Sequence, residues 1–203
     1  NAALRRLVAQ GTLGKITFAE GQYFHYYVGR CFRNPQTGEF IHPDDAARRP
    51  DAERTWLWHM PPIHYLVHDL SPLLHVLDDR AVEVVGVSTD SPSAAHPQLG
   101  WPDMQVALLK TAKGALLRLA VSFAHPHPEG TTHWLQVTGT RGSVEWRRNP
   151  NEPGKFWTAD WQLFDKSAVD WRYERTDAPP EARAAGHSGM DYYVHALFRD
   201  AVL

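Results

Sequence analysis

Residues 103–123 read DMQVALLKTAKGALLRLAVSF, the pattern of two strands joined by a tight turn. In the second half, Leu117 and Leu119 share one face of a strand, while Arg118 lies on the other face. The turn Ala112-Lys113-Gly114 supplies the glycine that hairpin connections favour. Because strands joined by a tight turn run antiparallel, this segment predicts an antiparallel sheet with a buried face.

Three other segments extend the same pattern. Residues 81–89, AVEVVGVST, are rich in β-branched side chains, and residues 132–146, THWLQVTGTRGSVEW, fold back at Thr140-Arg141-Gly142. Near the start of the chain, residues 15–27, KITFAEGQYFHYY, alternate in the same way, with Gly21 as the expected position of a bulge. These segments predict further strands of one sheet.

The helical patterns lie outside these strands. Residues 2–10 have apolar side chains at helical spacing before Gly11, and residues 64–77 carry leucines three and four positions apart, with a kink expected at Pro72. Residues 29–55 show no sustained period, and residues 176–189 resemble a loop before a final helix. The expected fold is α+β, a single predominantly antiparallel sheet with helices on one face, as one domain over residues 1–203.

Composition excludes several classes of function. The chain has 203 residues, 43% hydrophobic and 22% charged, with a formal net charge of -2, which is typical of a globular domain rather than a nucleic-acid-binding one. No apolar run approaches the roughly 20 residues of a membrane span. Cys31 is the only cysteine, which excludes an internal disulfide and favours a reducing, cytoplasmic compartment.

The segment PPIHYLVHDLSP, residues 61–72, brings together the side chains that carry chemistry. His64 and His68 stand four residues apart, a spacing with which a helix can present two imidazoles to a metal. The zinc-protease arrangement needs a glutamate directly after the first histidine, and Tyr65 stands there, so we expect no metal. Packing histidines with backbone partners remain an alternative.

An acid–base interpretation suits the same residues. The imidazole of His68 can accept a proton near neutral pH, and the phenol of Tyr65 can bond to the same substrate oxygen, a pair suited to oxidising an alcohol. Aromatic side chains elsewhere form either a platform on which a sugar stacks or part of a core or oligomer interface: Tyr23, His25, Tyr26, Trp56 and Trp58.

Five motifs in order give the chain a family resemblance. They are GTLGKI at residues 11–16, EGQYFH at 20–25, YLVHDLSP at 65–72, VTGTRGSVE at 137–145 and GHSGMD at 186–191. Together they resemble the C-terminal domain of the Gfo/Idh/MocA superfamily, the glucose–fructose oxidoreductase and inositol dehydrogenase group. The motifs are most similar to the branch of NAD-dependent glycosidases, in which the corresponding segments read Tyr-Pro-Thr-His and Gly-His-Gly-Gly-Met-Asp.

The resemblance implies a two-domain oxidoreductase. A Rossmann domain that precedes Asn1 and is absent from this chain would bind NAD or NADP, and this domain would form the substrate wall. The implied reaction is oxidation of a hydroxyl of a sugar or cyclitol, with His68 as the base and Tyr65 beside it. Substrate contacts are expected from five further residues: His64, His187, Asp191, Tyr23 and His25. An NAD-dependent glycosidase and a non-catalytic association domain stay open as alternatives.

Two departures and one surface feature qualify what the resemblance implies. Polyol dehydrogenases of the group place an aspartate where this chain has His64, and the glycosidase branch has Pro-Thr where this chain has Leu66-Val67. Residues 82–87 place valines on both faces of their strand, while helices on one side can cover only one face. We therefore expect a homo-oligomer formed through the sheet face, a small-molecule substrate, and no nucleic-acid or membrane partner.

Overall fold

The computed structural model describes residues 2–127, 132–148, 151–159, 169–171 and 179–202, and the chain divides into two units, Asn1–Trp171 and Arg172–Leu203. The described strands are β1 (Ile16–Phe24), β2 (Phe32–Arg33), β3 (Phe40–Ile41), β4 (Glu53–Arg54), β5 (Ala81–Ser88), β6 (Gln105–Thr111), β7 (Leu116–Ser122), β8 (His133–Gly139), β9 (Gly142–Glu145), β10 (Gly154–Thr158) and β11 (Val169–Trp171). The helices are α1 (Ala2–Ala9), α2 (Pro43–Ala46), α3 (Trp56–His59), α4 (Val67–Leu77), α5 (Pro180–Ala184) and α6 (Gly186–Val202), with 3-10 turns at Val28–Arg30 and Pro62–Leu66.

One large sheet organises the first unit. Its eight strands follow the order β11-β10-β9-β8-β1-β7-β6-β5, and every described neighbouring pair is antiparallel except β1 and β7. The expected α+β fold with a predominantly antiparallel sheet is therefore confirmed. The parallel pair places β1 at the centre of the sheet, between β7 and β8.

The predicted hairpin between β6 and β7 is present and well bonded. Gly114 has a φ of 91°, a left-handed conformation that glycine adopts without a steric penalty. Thr111 closes the turn, because its N–H donates to the carbonyl of Ala115 at 2.9 Å and its hydroxyl accepts from the Ala115 N–H at 3.0 Å. The predicted turn before Gly142, which joins β8 to β9, is also confirmed.

Helix α4 covers the centre of the sheet. It packs on β1, and α1 packs on α4, which places these helices on one side of the sheet as expected. Leu73, Val76 and Leu77 of α4 are buried, and removing each such side chain from water contributes about 1.5–3 kcal/mol. The position of α4 is consequently fixed by apolar packing, and any polar side chain on its inner face is held against β1.

The beginning and end of this helical segment differ from the expectation. Residues 62–66 form a 3-10 turn, and the α-helix begins only at Val67. Pro72 lies inside α4 without ending it, and the helix continues to Leu77, after which Asp78 adopts a left-handed conformation with φ 49°. Because proline has no N–H, the carbonyl of His68 lacks its usual partner four residues later.

Two local expectations were wrong. Gly21 pairs regularly with β7 and β8, and the register irregularity of β1 lies between Ile16 and Phe18 instead. The expected loop before the last helix contains the short helix α5, so the loop is largely helical. In the second unit, α5 is followed directly by α6, which begins at Gly186.

The segment 29–55 has its own small sheet. Strands β3, β2 and β4 form it, each only two residues long, with α2 and a 3-10 turn around them. The Thr55 N–H donates to the carbonyl of Cys31 at 2.9 Å, and the Thr55 hydroxyl donates to the carbonyl of Arg30 at 2.8 Å. These bonds tie β4 to the end of the turn at Val28–Arg30.

The edge strand β5 is open to solvent. All eight of its residues are exposed. Its four valines are each 51–67% exposed: Val82, Val84, Val85 and Val87. Valines are thus exposed on both faces of this strand, as the sequence indicated. No helix among the described residues combines the length and apolar character needed to cross a membrane.

Candidate active site

Three elements bring the candidate side chains together at one end of the sheet. The end of β1 supplies Tyr23, and His25 follows it directly. The 3-10 turn and the first turn of α4 supply Tyr65 and His68, and the first residue of β8 supplies His133. These elements meet because β8 pairs with β1, while α4 crosses the buried face of β1.

The rings of Tyr23, Tyr65 and His68 lie nearly parallel. The His68 ring lies 5.1 Å from that of Tyr23 with planes 13° apart, and 4.9 Å from that of Tyr65 with planes 16° apart. Tyr23 and Tyr65 are 5.7 Å apart. The expected pairing of His68 with Tyr65 is therefore present, and His68 itself remains exposed at the edge of the stack.

A buried carboxylate holds a second histidine in the cluster. Nδ1 of His133 lies 3.1 Å from Oδ1 of Asp69, whose side chain is only 4% exposed. The ring of His133 lies 4.4 Å from that of Tyr23 and 6.2 Å from that of His68. An imidazole bonded to a buried carboxylate is oriented by it and has one nitrogen occupied, and the His133 side chain is half exposed.

Sequence reasoning did not identify Asp69 or His133. The sequence did contain a signal for Asp69. It lies three residues after Leu66 and four before Leu73, which places it on the apolar face of the helix. A carboxylate buried there without a partner would destabilise the fold, so a partner is expected. For His133 there was no local signal, since only the pairing of β8 with β1 brings it to Asp69.

Burial keeps two histidines of the cluster, His68 and His25, neutral. Burial, with the neighbouring His133 adding to it, lowers the pKa of His68 below its usual range, although Asp69 opposes this. Burial lowers the pKa of His25 to about 4, again with a contribution from His133. Burial also raises the pKa of Tyr23, which shares a hydrogen bond with Tyr27. At neutral pH the imidazoles of His68 and His25 are therefore unprotonated, and the phenol of Tyr23 is protonated.

Two buried polar atoms in the cluster have no partner among the described residues. They are Nε2 of His25 and Oδ2 of Asp69. A buried polar atom without a hydrogen bond is destabilising by about 1–3 kcal/mol, so such atoms are usually satisfied by water or a ligand. The cluster thus has unused hydrogen-bonding capacity next to the exposed histidines.

The other expected site residues are placed differently. His64 is exposed, and its ring joins none of the ring contacts found within the described ranges. Asp191 lies in α6 of the second unit, and its carboxylate is next to Gly186, the first residue of that helix. The side chain of His187 lies outside the described residues.

The geometry does not support a metal at the two helix-spaced histidines. His64 belongs to the 3-10 turn and His68 to α4, so the α-helical phase that would align them is interrupted. Across the part of the chain that the structure describes, no group of three histidine, cysteine, aspartate or glutamate side chains is arranged to hold a metal ion.

The aromatic residues divide between the two roles left open by the sequence. Tyr23 is buried, whereas Trp56 and Tyr26 are each 49% exposed. The Trp56 ring stacks on Tyr65 at 5.4 Å with planes 14° apart, which extends the flat surface next to His68. Trp58 is half-buried and packs against Phe32 instead.

Comparisons with known proteins agree with this architecture. A glycosyl hydrolase family 109 protein from Streptomyces filamentosus is 25% identical over 213 residues, an alignment covering 92% of this chain and 39% of that relative. The chain thus spans well under half the length of this curated relative.

Solved structures share the fold at low sequence identity. An inositol dehydrogenase homolog from Azotobacter vinelandii, complexed with NADH and myo-inositol, matches with a TM-score of 0.53 at 19% identity, covering 78% of this chain and 37% of that one. The apo form of levoglucosan dehydrogenase matches with a TM-score of 0.59 at 12% identity, covering 92% of this chain and 46% of that one.

The family itself follows from the sequence match. The family model described as GFO/IDH/MocA C-terminal domain matches residues 1–145, most of the chain. This match, with the mixed sheet and the helices on one of its faces, shows that the chain belongs to the GFO/IDH/MocA C-terminal domain family.

Proposed function

We propose that this chain is the substrate domain of a longer enzyme that oxidises a hydroxyl group of a sugar or cyclitol, with NAD or NADP as the hydride acceptor. The observation that carries the proposal is the stack of His68 with Tyr65 and Tyr23 beside the Asp69–His133 pair. Support also comes from the fold, which is shared with a homolog of inositol dehydrogenase solved with NADH and myo-inositol.

The residues present fit the proton-transfer half of such a reaction. We assign cofactor binding to a Rossmann domain that precedes this chain, as the family resemblance implies. When bound, the nicotinamide accepts a hydride from the carbon that carries the hydroxyl. Two exposed imidazoles, His68 and His133, are the groups in the cluster that we propose exchange a proton with that hydroxyl.

His68 is the proposed base. Its lowered pKa keeps the ring unprotonated at neutral pH, so a ring nitrogen can accept the hydroxyl proton as the carbon is oxidised. Tyr65 and Tyr23 pack against the ring, and the solvent-exposed part of the imidazole is the proposed reactive side. The phenol of Tyr65 positions the same substrate oxygen by a hydrogen bond.

The remaining cluster residues bind the substrate. His133, oriented by Asp69, contacts a neighbouring hydroxyl, and the unused Nε2 of His25 bonds to a substrate hydroxyl or to a water beside it. The proposed contributions of His64, and of His187 and Asp191 from the second unit, are to further hydroxyl groups.

Cofactor-linked turnover tests the proposal. The full-length protein, incubated with a panel of hexoses, pentoses and inositols and with NAD or NADP, should form reduced cofactor with at least one of them, followed by absorbance. Stoichiometric formation of a ketone product would match the reduced cofactor. Failure with every polyol and both cofactors would favour the alternative in which the domain serves protein association.

A glycosidase is the second candidate. The curated relative from Streptomyces filamentosus is a glycosyl hydrolase family 109 protein, and this name is what favours hydrolysis as the net reaction. Hydrolysis through a transient oxidation would release an aglycone from a nitrophenyl glycoside without net formation of reduced cofactor. Measuring both products in one reaction therefore separates the two activities.

We also propose that the protein is a cytoplasmic homo-oligomer. The faces of β5 to β7 that α4 does not cover expose Val85, Leu108 and Leu116, each more than half exposed. On the same surface, Arg118 pairs with Glu20 at 2.9 Å and supplies complementary charges that a second copy can meet. Cys31 is buried, and burial raises the pKa of its thiol to about 12, as suits a reduced structural cysteine.

A further inference from the structure

A cationic cleft adjoins the histidine cluster. Its volume is about 380 Å³, and three arginines line it: Arg30, Arg33 and Arg54. Aromatic side chains complete the wall, among them Tyr27 and Trp56. Neither the composition nor the motifs of the sequence pointed to it, since Arg54 lies far along the chain from Arg30 and Arg33 and joins them only through the pairing of β2 with β4.

The guanidinium groups of two of these arginines lie over aromatic rings. Arg30 lies over Tyr27 at 5.3 Å and over Phe40 at 5.7 Å, and Arg54 lies over Trp58 at 4.5 Å. Contact with an aromatic ring restricts the arginine side chain. The N–H donors of a guanidinium lie in its own plane, where they can bond to a ligand.

No carboxylate among the described residues neutralises the positive charge of the cleft. Within the described ranges, none of the three arginines forms an ion pair with a carboxylate. Arg33 faces Glu53 across the ladder of β2 and β4 without pairing with it, and Glu39 lies next to Arg49 instead, at 3.8 Å. Three uncompensated guanidinium groups around one cleft are suited to a carboxylate or a phosphate, which bind such forks in a bidentate manner.

The cleft shares its walls with the candidate active site. Tyr27 stacks on His25 at 4.4 Å, and Trp56 stacks on Tyr65, the neighbour of His68. Arg30 is close enough to His25 to contribute to the lowering of its pKa. A single small molecule can therefore place one end among the arginines and the other beside the histidines.

We infer that the substrate is an anionic carbohydrate, a sugar or cyclitol carrying a carboxylate or phosphate group that the three arginines bind. This inference rests on the proposed function, since it places the oxidised hydroxyl at His68. The anion fixes the orientation of the ring, while the exposed face of Trp56 covers the sugar between the two ends.

Matched substrate pairs test the inference in the full-length protein. Glucose is compared with glucuronate and glucose 6-phosphate, galactose with galacturonate, and inositol with inositol 1-phosphate, all with the preferred cofactor. The anionic member of a pair should have the higher kcat/KM. Comparing the sugar carboxylates with the phosphorylated substrates shows whether the cleft prefers a carboxylate or a phosphate.

The arginine variants show whether the cleft causes the preference. Arg54→Gln should lower kcat/KM for the anionic substrate by roughly 10- to 100-fold, mainly through KM, and leave that for the neutral partner unchanged. Arg54→Lys should recover part of the loss because it keeps the charge. Arg80→Gln, at an exposed position between α4 and β5, is the control and should have no effect.

Three results would overturn the inference. One is equal turnover of neutral and anionic sugars, with no differential effect of Arg54→Gln, while oxidation itself persists. A second is weaker NAD binding by the variant in the absence of sugar, which would assign the arginines to cofactor phosphates. If no sugar is oxidised at all, the proposed function fails, and calorimetry with glucuronate and phosphate then tests the cleft by itself. The anion site is contradicted if neither anion binds, or if Arg54→Gln does not weaken the binding.

Discussion

Tyr23 is the residue on which the candidate site is built. Its buried ring contacts five other rings, which come from separate parts of the chain: His25, Tyr65, His68, His133 and Phe123. Because the ring is only 7% exposed, its contribution is to hold the histidines rather than to stack on a sugar. We propose the exposed Trp56 as the stacking surface for a sugar instead.

The half-buried His25 predicts a loss of stability in acid. Its pKa is lowered to about 4, whereas in the unfolded chain it is about 6.5, so the unfolded state binds more protons between these values. The free energy of unfolding of the full-length protein should therefore fall as pH falls from 6.5 to 4, by roughly 1–3 kcal/mol from this residue. Chemical denaturation at a series of pH values measures it.

The variant His25→Asn should flatten this part of the pH dependence. His59→Asn, at an exposed histidine of α3, is the matched control and should leave the slope as in the wild type. An unchanged slope in His25→Asn would mean that His25 does not resist protonation in the folded protein.

The sequence identified some site residues and not others for physical reasons. His68 and Tyr65 were predicted together because they are neighbours on one segment, and the structure stacks them. Asp69 was overlooked although its place on the apolar face of α4 was readable. His133 depends on a strand pairing between residues far apart in sequence, which local patterns do not specify.

Gly21 sets how closely helix α4 approaches the sheet. A Cβ at this position would lie 3.0 Å from Cβ of Asp69 and 3.1 Å from Cδ2 of Leu119. Since Leu119 is buried and Asp69 is fixed by its bond to His133, neither neighbour moves away freely. The absence of a side chain at Gly21 is thus what allows Asp69 to reach the cluster.

Gly21→Ala should consequently lower stability by about 1–3 kcal/mol, the usual cost of overpacking, and should also reduce turnover by displacing Asp69. The matched control is Gly86→Ala in β5, where an added Cβ meets nothing within 4 Å. Thermal unfolding and kcat of both variants measure the difference. Equal effects of the two substitutions would contradict the close-approach explanation.

Among the elements, hairpins were predictable and long-range pairings were not. The turn at Gly114 is encoded locally, so the β6–β7 pair followed from the sequence. The parallel contact of β1 with β7 joins segments about a hundred residues apart and left no periodic signal. The tiny strands of the segment 29–55 are too short for any alternation to show.

The surface of the whole molecule predicts self-association through the large sheet. Val85 is 63% exposed and pairs with the exposed Leu108, on the face of the sheet that α4 does not cover. Val84 is 67% exposed and pairs with the buried Leu109, on the opposite face. Val85→Glu should convert the full-length protein from an oligomer to a monomer, because it would bury a charge in the apolar interface. Light scattering at micromolar concentration measures the mass.

Val84→Glu is the matched control for this prediction. It changes an equally exposed valine on the opposite face of the same strand, and it should leave the oligomer intact. A monomeric wild type, or an oligomer that persists in Val85→Glu and dissociates in Val84→Glu, would place the interface elsewhere.

The activity that we propose depends on His68 acting as the base in proton transfer. A general base contributes about 10²–10⁴-fold to rate, and asparagine at this position keeps a hydrogen bond but cannot accept the proton. His75 provides the matched control. It lies two turns further along α4 and is exposed, with its Nε2 3.3 Å from Nη1 of Arg5.

The decisive measurement is kcat of the full-length protein with His68→Asn and with His75→Asn, on the same sugar and cofactor. We expect His68→Asn to lower kcat by about 10²–10⁴-fold at unchanged melting temperature, and His75→Asn to retain near-normal turnover. The wild-type rate should fall only below pH 6.5, since the pKa of His68 is lowered and its neutral form is the active one. Near-normal turnover in His68→Asn would contradict the assignment and make His133, held by Asp69, the base.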